Sequence, residues 1–530
     1  MSVDVTPLSI PMRDGCLLKG ELWQPEGVGP WPALIMRQPY GHRLASTVVY
    51  AHPSWYAQQG YLVLIQDVRG CAESEGDFQG FSQEVNDGAD SISALRAHRL
   101  CNGRVGSYGF SYQGLTQLLG DPADAMAPAM TGWDERLHMA TEGGAHLWAN
   151  NVGWGLQLAA EHCRRSGRNE HWQLIYKSLQ SGTFLFDGLE ILRHTNPNNP
   201  VLAWLELNPQ AQEQWPNQKL SSAVLERPLL LCQGWHDPYL EGGLSLWNKS
   251  KQAGANPLIR IGPWSHLAWD RKVGSTNQGA SACGGVDEWQ LSFFDQHLRD
   301  RAPAAEPEPC LAFDLLAKEW RQRDPQNPGK LQWGLSSGGL AASRSNEGLL
   351  LAQEQGYGQV YWVHDPWRPV PGCGGHLGAD AGMQERSALD ARADVVCFTS
   401  PPLLEALEIW GKPQLIALVA ADQPGFDLCA NLAVVRQQGS EVLVLSTGVL
   451  RQLGEHCKQL LPRKLQFQPL LASLQAGDRL RLSIAGAAWP HISVNRGDGH
   501  WAPGPVGPSH SSIRIQLQLA GSGLELLAMG

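Results

Sequence analysis

Short apolar runs of strand length punctuate the first hundred residues. Val5, Leu8 and Ile10 alternate with polar neighbours, Asp14-Gly15 supplies a hairpin turn, and Leu17-Leu18 with Leu22-Trp23 read as the returning strand. Pro32 to Met36 and Tyr61 to Ile65 are unbroken apolar runs, the signature of strands buried on both faces. Between and after them, Trp55–Gln59 and Glu84–Leu100 predict helices, the second with Ala89, Ile92, Leu95 and Arg96 at helical spacing. Alternating strands and helices imply a parallel sheet covered on both faces. From Trp133 to Ser221 the pattern becomes helical and rich in Trp and His, broken by Asn196-Pro-Asn-Asn-Pro200, so an insertion is expected there. Strand-and-loop alternation returns at Arg227 to Cys232. The prolines of Ala302–Pro309 then forbid regular structure and predict a linker. Beyond it, Gln359–Val363, Leu415–Val419, Glu441–Leu445, Arg479–Ile484 and Ile513–Leu519 are β-type runs without long helices between them, as in an all-β sandwich. The expected division is a first core part at 1–132, a helical insertion at 133–221, a second core part at 222–303 and a β-sandwich at 304–530.

Composition narrows the function classes. The 530 residues would supply two to four domains at roughly 150 residues each. Only 17% are charged while 43% are hydrophobic, which excludes intrinsic disorder. A net charge of −10 argues against a nucleic-acid binder, and no run approaches the ~18 apolar residues of a membrane-spanning helix. The start, Met-Ser-Val-Asp-Val-Thr, has neither a basic head nor an apolar segment, so cytoplasmic residence is expected. The 11 cysteines are scattered with no C-x-x-C pair, which predicts buried free thiols and no metal site.

The chemistry centres on Gly109-Phe-Ser111-Tyr112-Gln-Gly114. It reads as a strand, an abrupt turn at Ser111 and a helix, the layout of a nucleophile elbow. Such a turn strains the serine backbone and requires small neighbours. Gly109 meets this, but the following glycine stands at 114, three residues on instead of the two of the commonest G-x-S-x-G form. Two later strands end in Trp235-His236-Asp237-Pro238-Tyr239 and Pro263-Trp264-Ser265-His266. The chain order Ser111, Asp237, His266 is the nucleophile, acid, histidine order of α/β-hydrolases. An alcohol needs a base to attack a carbonyl, an imidazole near pKa 6.5 can take the proton, and a carboxylate fixes the imidazole tautomer. His236 competes with His266, but as the neighbour of Asp237 on an extended segment it would point away from that carboxylate. Asp67 also ends a strand, and its expected role is an ion pair with Arg69.

These stretches resemble the serine-hydrolase family of cocaine esterase, α-amino acid ester hydrolases and X-prolyl dipeptidyl peptidases. Pro11-Met-Arg-Asp-Gly15, Gln38-Pro-Tyr40-Gly41, Gln66-Asp-Val-Arg-Gly70, Ser74-Glu-Gly76, the elbow, Gly234-Trp-His-Asp237, Gly262-Pro-Trp-Ser-His266, Asp365-Pro366, Pro369-Val-Pro371, Gly374-Gly375, Ser400-Pro-Pro-Leu403 and Asn495-Arg496 carry the likeness, in order. It implies an α/β-hydrolase core with an inserted helical cap, followed by a C-terminal jelly-roll (galactose-binding-like) domain. It also implies an oxyanion hole made by the Tyr40 hydroxyl and the Tyr112 amide.

Members of that family differ in what covers the nucleophile. A substrate ammonium needs carboxylates. The cap offers Glu142, Glu161, Asp187 and Glu190, each expected to be a solvated helix charge. Tyr239 matches an aromatic pocket position, and the cap residues Trp148, Trp154 and Trp172 are further pocket candidates. The expectation is a Ser-His-Asp carboxylesterase or acylase acting on a small ester, amide or short peptide without metal or organic cofactor. An X-Pro dipeptidyl peptidase or α-amino ester hydrolase is the alternative, and a retired core serving a carbohydrate-binding jelly roll is the alternative from another class. Substrate identity and oligomeric state stay open at this level.

Overall fold

The computed structural model describes residues 3–43, 47–303, 305–352, 356–378, 380–437 and 441–529. A ten-stranded sheet runs in the order Asp4–Pro11, Leu17–Gln24, Leu62–Asp67, Trp31–Gln38, Cys101–Phe110, Ala125–Ala129, Leu230–His236, Leu258–Ser265, Cys310–Asp314 and Glu319–Gln322. The hairpins at both edges are antiparallel and everything from Leu62–Asp67 to Cys310–Asp314 is parallel. The apolar runs serve two cores. In Trp31–Gln38, Ala33 and Ile35 face one core while Leu34 and Met36 face the other, and Leu62 and Leu64 divide from Val63 and Ile65 in the same way. Pro53–Gln58, Glu84–Arg96, Leu240–Gln252 and Val286–Arg299 are the helices that flank this sheet. The second helix ends at Arg96, before the expected Leu100.

The insertion is helical as expected, with Trp148–Arg165, Asn169–Ser181, Phe184–Thr195 and Pro200–Leu205 packed around Val152, Leu156, Ile175 and Leu192. Beyond the linker lie eleven largely antiparallel strands, Gln332–Ser336 through Ile513–Leu527, folded as a jelly roll. Each expected β-run coincides with one of these strands, except that Glu441 lies just before the strand Val442–Leu453.

One boundary is corrected. Ala302–Pro309 has no helix or strand among its described residues, Ala304 lying outside them, but it does not separate the two halves. The chain after it returns to the hydrolase sheet: Cys310–Asp314 pairs in parallel with Leu258–Ser265, and Glu319–Gln322 completes the edge. Prolines stop regular structure locally; they do not decide which sheet receives the next strand.

Candidate active site

Ser111 sits between the strand Cys101–Phe110 and the helical turn that begins at Tyr112, with φ 58° and ψ −125°. That strained turn lifts its hydroxyl off the sheet and leaves the Tyr112 N–H, first in its helix, without an intrahelical partner. The displaced glycine is explained by what surrounds it. A Cβ on Gly114 would meet the Thr131 side chain at 2.7 Å and the Ala129 carbonyl at 3.1 Å, so the helix packs against the next strand at this position. On the other side Gly109 has φ 141°, and a Cβ there would lie 2.5 Å from Cβ of Gln113.

The strands Leu230–His236 and Leu258–Ser265 are parallel neighbours with Ser265 opposite His236, which puts the residues that follow them side by side. His266 Nδ1 is 2.5 Å from Asp237 Oδ2, and its Nε2 is 3.0 Å from Ser111 Oγ. The Asp237 carboxylate is fully buried and accepts a second hydrogen bond from the Tyr239 N–H at 2.8 Å. From the jelly roll, the Gln468 side-chain amide donates to the Asp237 carbonyl at 2.6 Å. The Tyr239 ring meets the His266 ring edge-on at 4.9 Å, and Trp269 Nε1 donates to the His266 carbonyl at 3.2 Å. Thus the ring, the carboxylate and the hydroxyl form one hydrogen-bonded chain. His236 does not join it: although it borders the cavity, its ring bonds neither Asp237 nor Ser111, and burial pushes its pKa down to about 3, so it is neutral.

A cavity of about 500 Å³ opens above Ser111. Tyr40 lines it with Trp154, Gln157 and Asn150 of the cap, Tyr239 and Met139, and with His376, Gly378 and Ala381 of the jelly roll. Burial raises the Tyr40 phenol well above its ordinary value, and the Trp154 indole N–H offsets part of that rise. The hydroxyl is therefore a proton donor throughout the neutral range. Among the described residues, none of those lining this cavity is Asp, Glu, Lys or Arg.

Two expected pocket residues lie elsewhere. Trp148 is fully buried in the cap core, its N–H donating to the Leu185 carbonyl at 3.0 Å. Trp172 stacks on Tyr176 at 5.3 Å and borders a separate cavity of about 210 Å³. The cap carboxylates divide: Glu142 and Glu161 are half-buried and engaged, whereas Asp187 and Glu190 stay exposed on their helix. Glu142 meets His376 Nε2 at 2.5 Å, Glu161 pairs with Arg164 at 2.7 Å and accepts from the Ala72 N–H, Asp187 accepts from Ser178 at 2.6 Å, and Glu190 pairs with Arg193 at 2.6 Å. Asp67 is also reassigned: it holds His42 through Nδ1 and the backbone N–H, both at 2.6 Å, while Arg69 binds Asp87 and Asp14.

Sequence reasoning missed His376, Asn150 and Gln157. The first follows the quoted Gly374-Gly375 pair, and the other two share a helical stripe with Trp154 at i−4 and i+3, a signal open to a phase count.

Residues 14–268 match the X-Pro dipeptidyl-peptidase (S15 family), and residues 318–502 match the X-Pro dipeptidyl-peptidase C-terminal non-catalytic domain. Cocaine esterase of Rhodococcus sp. is 27% identical over 473 residues, covering 83% of this chain and 82% of that protein. The chain is a serine hydrolase of the cocaine esterase and X-prolyl dipeptidyl peptidase family. Solved structures carry the same fold over nearly the full length of this hydrolase. An aminopeptidase from a marine sediment Thaumarchaeota archaeon has TM-score 0.78 at 18% identity, covering 100% of this chain and 97% of that one. An α-amino acid ester hydrolase has TM-score 0.69 at 18% identity, covering 99% and 96%. In this hydrolase the jelly roll contributes His376 to the cavity wall and the Gln468 bond behind Asp237, although the matching domain is described as non-catalytic. No helix among the described residues is long and apolar enough to cross a membrane.

Proposed function

We propose that this hydrolase cleaves esters or amides of small, uncharged acyl groups through an acyl-enzyme. The single observation that carries this reading is the continuous Ser111–His266–Asp237 hydrogen-bonded chain beneath a cavity whose described lining includes no Asp, Glu, Lys or Arg. Ser111 Oγ attacks the carbonyl carbon as His266 Nε2 takes its proton. The Tyr40 hydroxyl and the Tyr112 N–H receive the oxyanion. Asp237 holds the imidazolium, which then protonates the leaving group, and water repeats the sequence to release the acid. A carboxylate-free wall supports an esterase or acylase over an aminopeptidase, because a desolvated ammonium needs a partner charge. Tyr239, Trp154 and Met139 give the acyl group an aromatic and apolar bed.

Replacing Ser111 with Ala should lower hydrolysis of a p-nitrophenyl ester by at least ~10³-fold and abolish labelling by a fluorophosphonate, with the fold retained. Wild-type turnover in that variant would exclude Ser111 as nucleophile. A panel of aryl esters, α-amino esters and X-Pro amides then tests the acyl preference, with the neutral aryl esters expected to lead. We also place the enzyme in a reducing compartment such as the cytoplasm, supported by its eleven unpaired cysteines.

A further inference from the structure

An oxyanion donor works only if its hydrogen is aimed before the charge develops. The Tyr112 amide is aimed by the helix it begins. The Tyr40 hydroxyl is a rotor, and the contacts that hold its backbone leave that rotor free: Gln38 donates to the Gly41 carbonyl at 2.9 Å, and the next residue, His42, is tied to Asp67. Something must fix the phenolic O–H itself.

The cap provides such a group. Trp154 projects from the helix Trp148–Arg165 into the cavity that Tyr40 also lines. Its ring is gripped on several sides: Trp204 lies at 5.4 Å, Phe81 is stacked at 6.3 Å, and Tyr112, next to the nucleophile, lies at 6.4 Å. Phe81 is itself stacked on Tyr112 at 4.6 Å. The ring so held lies near enough to the Tyr40 phenol to offset part of the pKa rise that burial causes. Its indole N–H is buried and has no hydrogen-bond partner among the described residues, and it belongs to a ring that lines the same cavity as Tyr40. A buried indole N–H without a partner is disfavoured, and catalytic hydrogen bonds tighten when substrate binds.

We infer that Trp154 is a positioning residue of the oxyanion hole: its indole N–H donates to the phenolic oxygen of Tyr40, so that the Tyr40 O–H points at the developing oxyanion. The geometry has two effects. Filling one lone pair of the phenol leaves its proton directed at the substrate, and a hydroxyl that accepts a hydrogen bond becomes a stronger donor. The oxyanion hole of this enzyme is then shared between core and cap, and it is complete only with the cap docked. This inference rests on the reading of Ser111 as nucleophile and Tyr40 as oxyanion donor.

A double-mutant cycle over Tyr40→Phe and Trp154→Phe tests it, with kcat measured on a p-nitrophenyl ester and normalised to fluorophosphonate-reactive sites at end point. Trp154→Phe keeps an aromatic ring and removes the N–H. In the Tyr40 enzyme it should lower kcat roughly 5- to 20-fold with a smaller change in KM. In the Tyr40→Phe background the same change should cost less than about 2-fold. Affinity for a trifluoromethyl ketone, whose adduct places an oxyanion in the hole, should fall with kcat. Equal factors in the two backgrounds would overturn the role of Trp154 and leave the nucleophile assignment standing. An unchanged kcat in Tyr40→Phe alone would instead overturn the oxyanion role of Tyr40. In the unsubstituted enzyme, carrying isotope-labelled tryptophan, the Trp154 indole N–H resonance should move when the ketone binds. A stationary resonance with the ketone bound also refutes the proposal.

Discussion

Gly109→Ala isolates the elbow. Two costs arise at this residue, and they can be told apart. At φ 141° the backbone lies in a region that residues with a Cβ avoid, an expense of ~1–3 kcal/mol. The added Cβ would also stand 2.5 Å from Cβ of Gln113 and 3.3 Å from its carbonyl carbon. These atoms are the root of a side chain and the backbone, so rotation of a side-chain tip cannot relieve the contact. Restoring ordinary contact at 3.4 Å pushes the first turn of the helix away by about 0.9 Å. That turn carries the Tyr112 amide, and Gln113 bonds the Phe110 N–H at 3.3 Å and Gln38 at 3.4 Å, so the shift reaches Ser111 from both sides. A misplacement of ~1 Å at a reacting group costs ~10²-fold in rate. We therefore expect kcat/KM for a p-nitrophenyl ester to fall ~10²-fold, with the rate of fluorophosphonate labelling falling in parallel. Gly103→Ala is the control. Gly103 lies on the same strand at φ 91°, but a Cβ there meets nothing within 4 Å, so it carries strain without displacement. It should lower stability and leave kcat/KM within about 3-fold of wild type. Wild-type activity in Gly109→Ala, or equal losses in the two variants, would refute the argument that displacement of the first helical turn sets the rate.

Two further outcomes concern stability. His146 is fully buried with its pKa pushed down to about 3, chiefly by burial, so the folded state keeps it neutral while the unfolded chain takes up a proton near pH 6.5. Its contribution is intact above pH 6.5 and drains away as pH falls toward 3. His146→Gln should flatten the acid limb of stability by up to ~1.4 kcal/mol per pH unit between pH 6 and 4, read from urea unfolding at each pH. Arg37 and Glu84 form a buried pair at 2.6 Å, and Glu84 also accepts from the Tyr112 hydroxyl at 2.9 Å. Arg37→Met should destabilise the core by about 3 kcal/mol in chemical unfolding, and adding Glu84→Leu should recover part of it, because an unpaired buried charge is worse than none.

The sequence discloses strands, chain order and strand ends well, because period-two burial and turn residues are local. Ser111, Asp237 and His266 were readable for that reason: each follows a strand of the same sheet. The pocket was less readable because it depends on helical phase. Trp148 and Trp154 lie six residues apart, about 240° around the helix, so only one of them can face the nucleophile. Asn150 and Gln157 share the face of Trp154 and were passed over because amides carry no hydrophobic signal. The partner of Asp67 was misread because Arg69 is near in sequence, whereas His42 arrives on a separate loop and takes the carboxylate through two bonds. His376 was beyond reach for a stronger reason. It comes from a different domain, 265 positions after Ser111 in the 530-residue chain, and only tertiary docking brings it to the cavity.

The strand Cys310–Asp314 bears on how such a protein can be inherited. Although encoded after the proline-rich linker, it sits at the side of Leu258–Ser265, the strand that delivers His266, and the sheet edge behind it belongs to the same late segment. A recombination joint at the linker would strip that flank from the hydrolase sheet, and with it the Gln468 brace and the His376 wall. The two halves are thus not interchangeable cassettes. A new β-sandwich grafted at residue 304 would have to bring a matching sheet strand as well as replacements for Gln468 and His376.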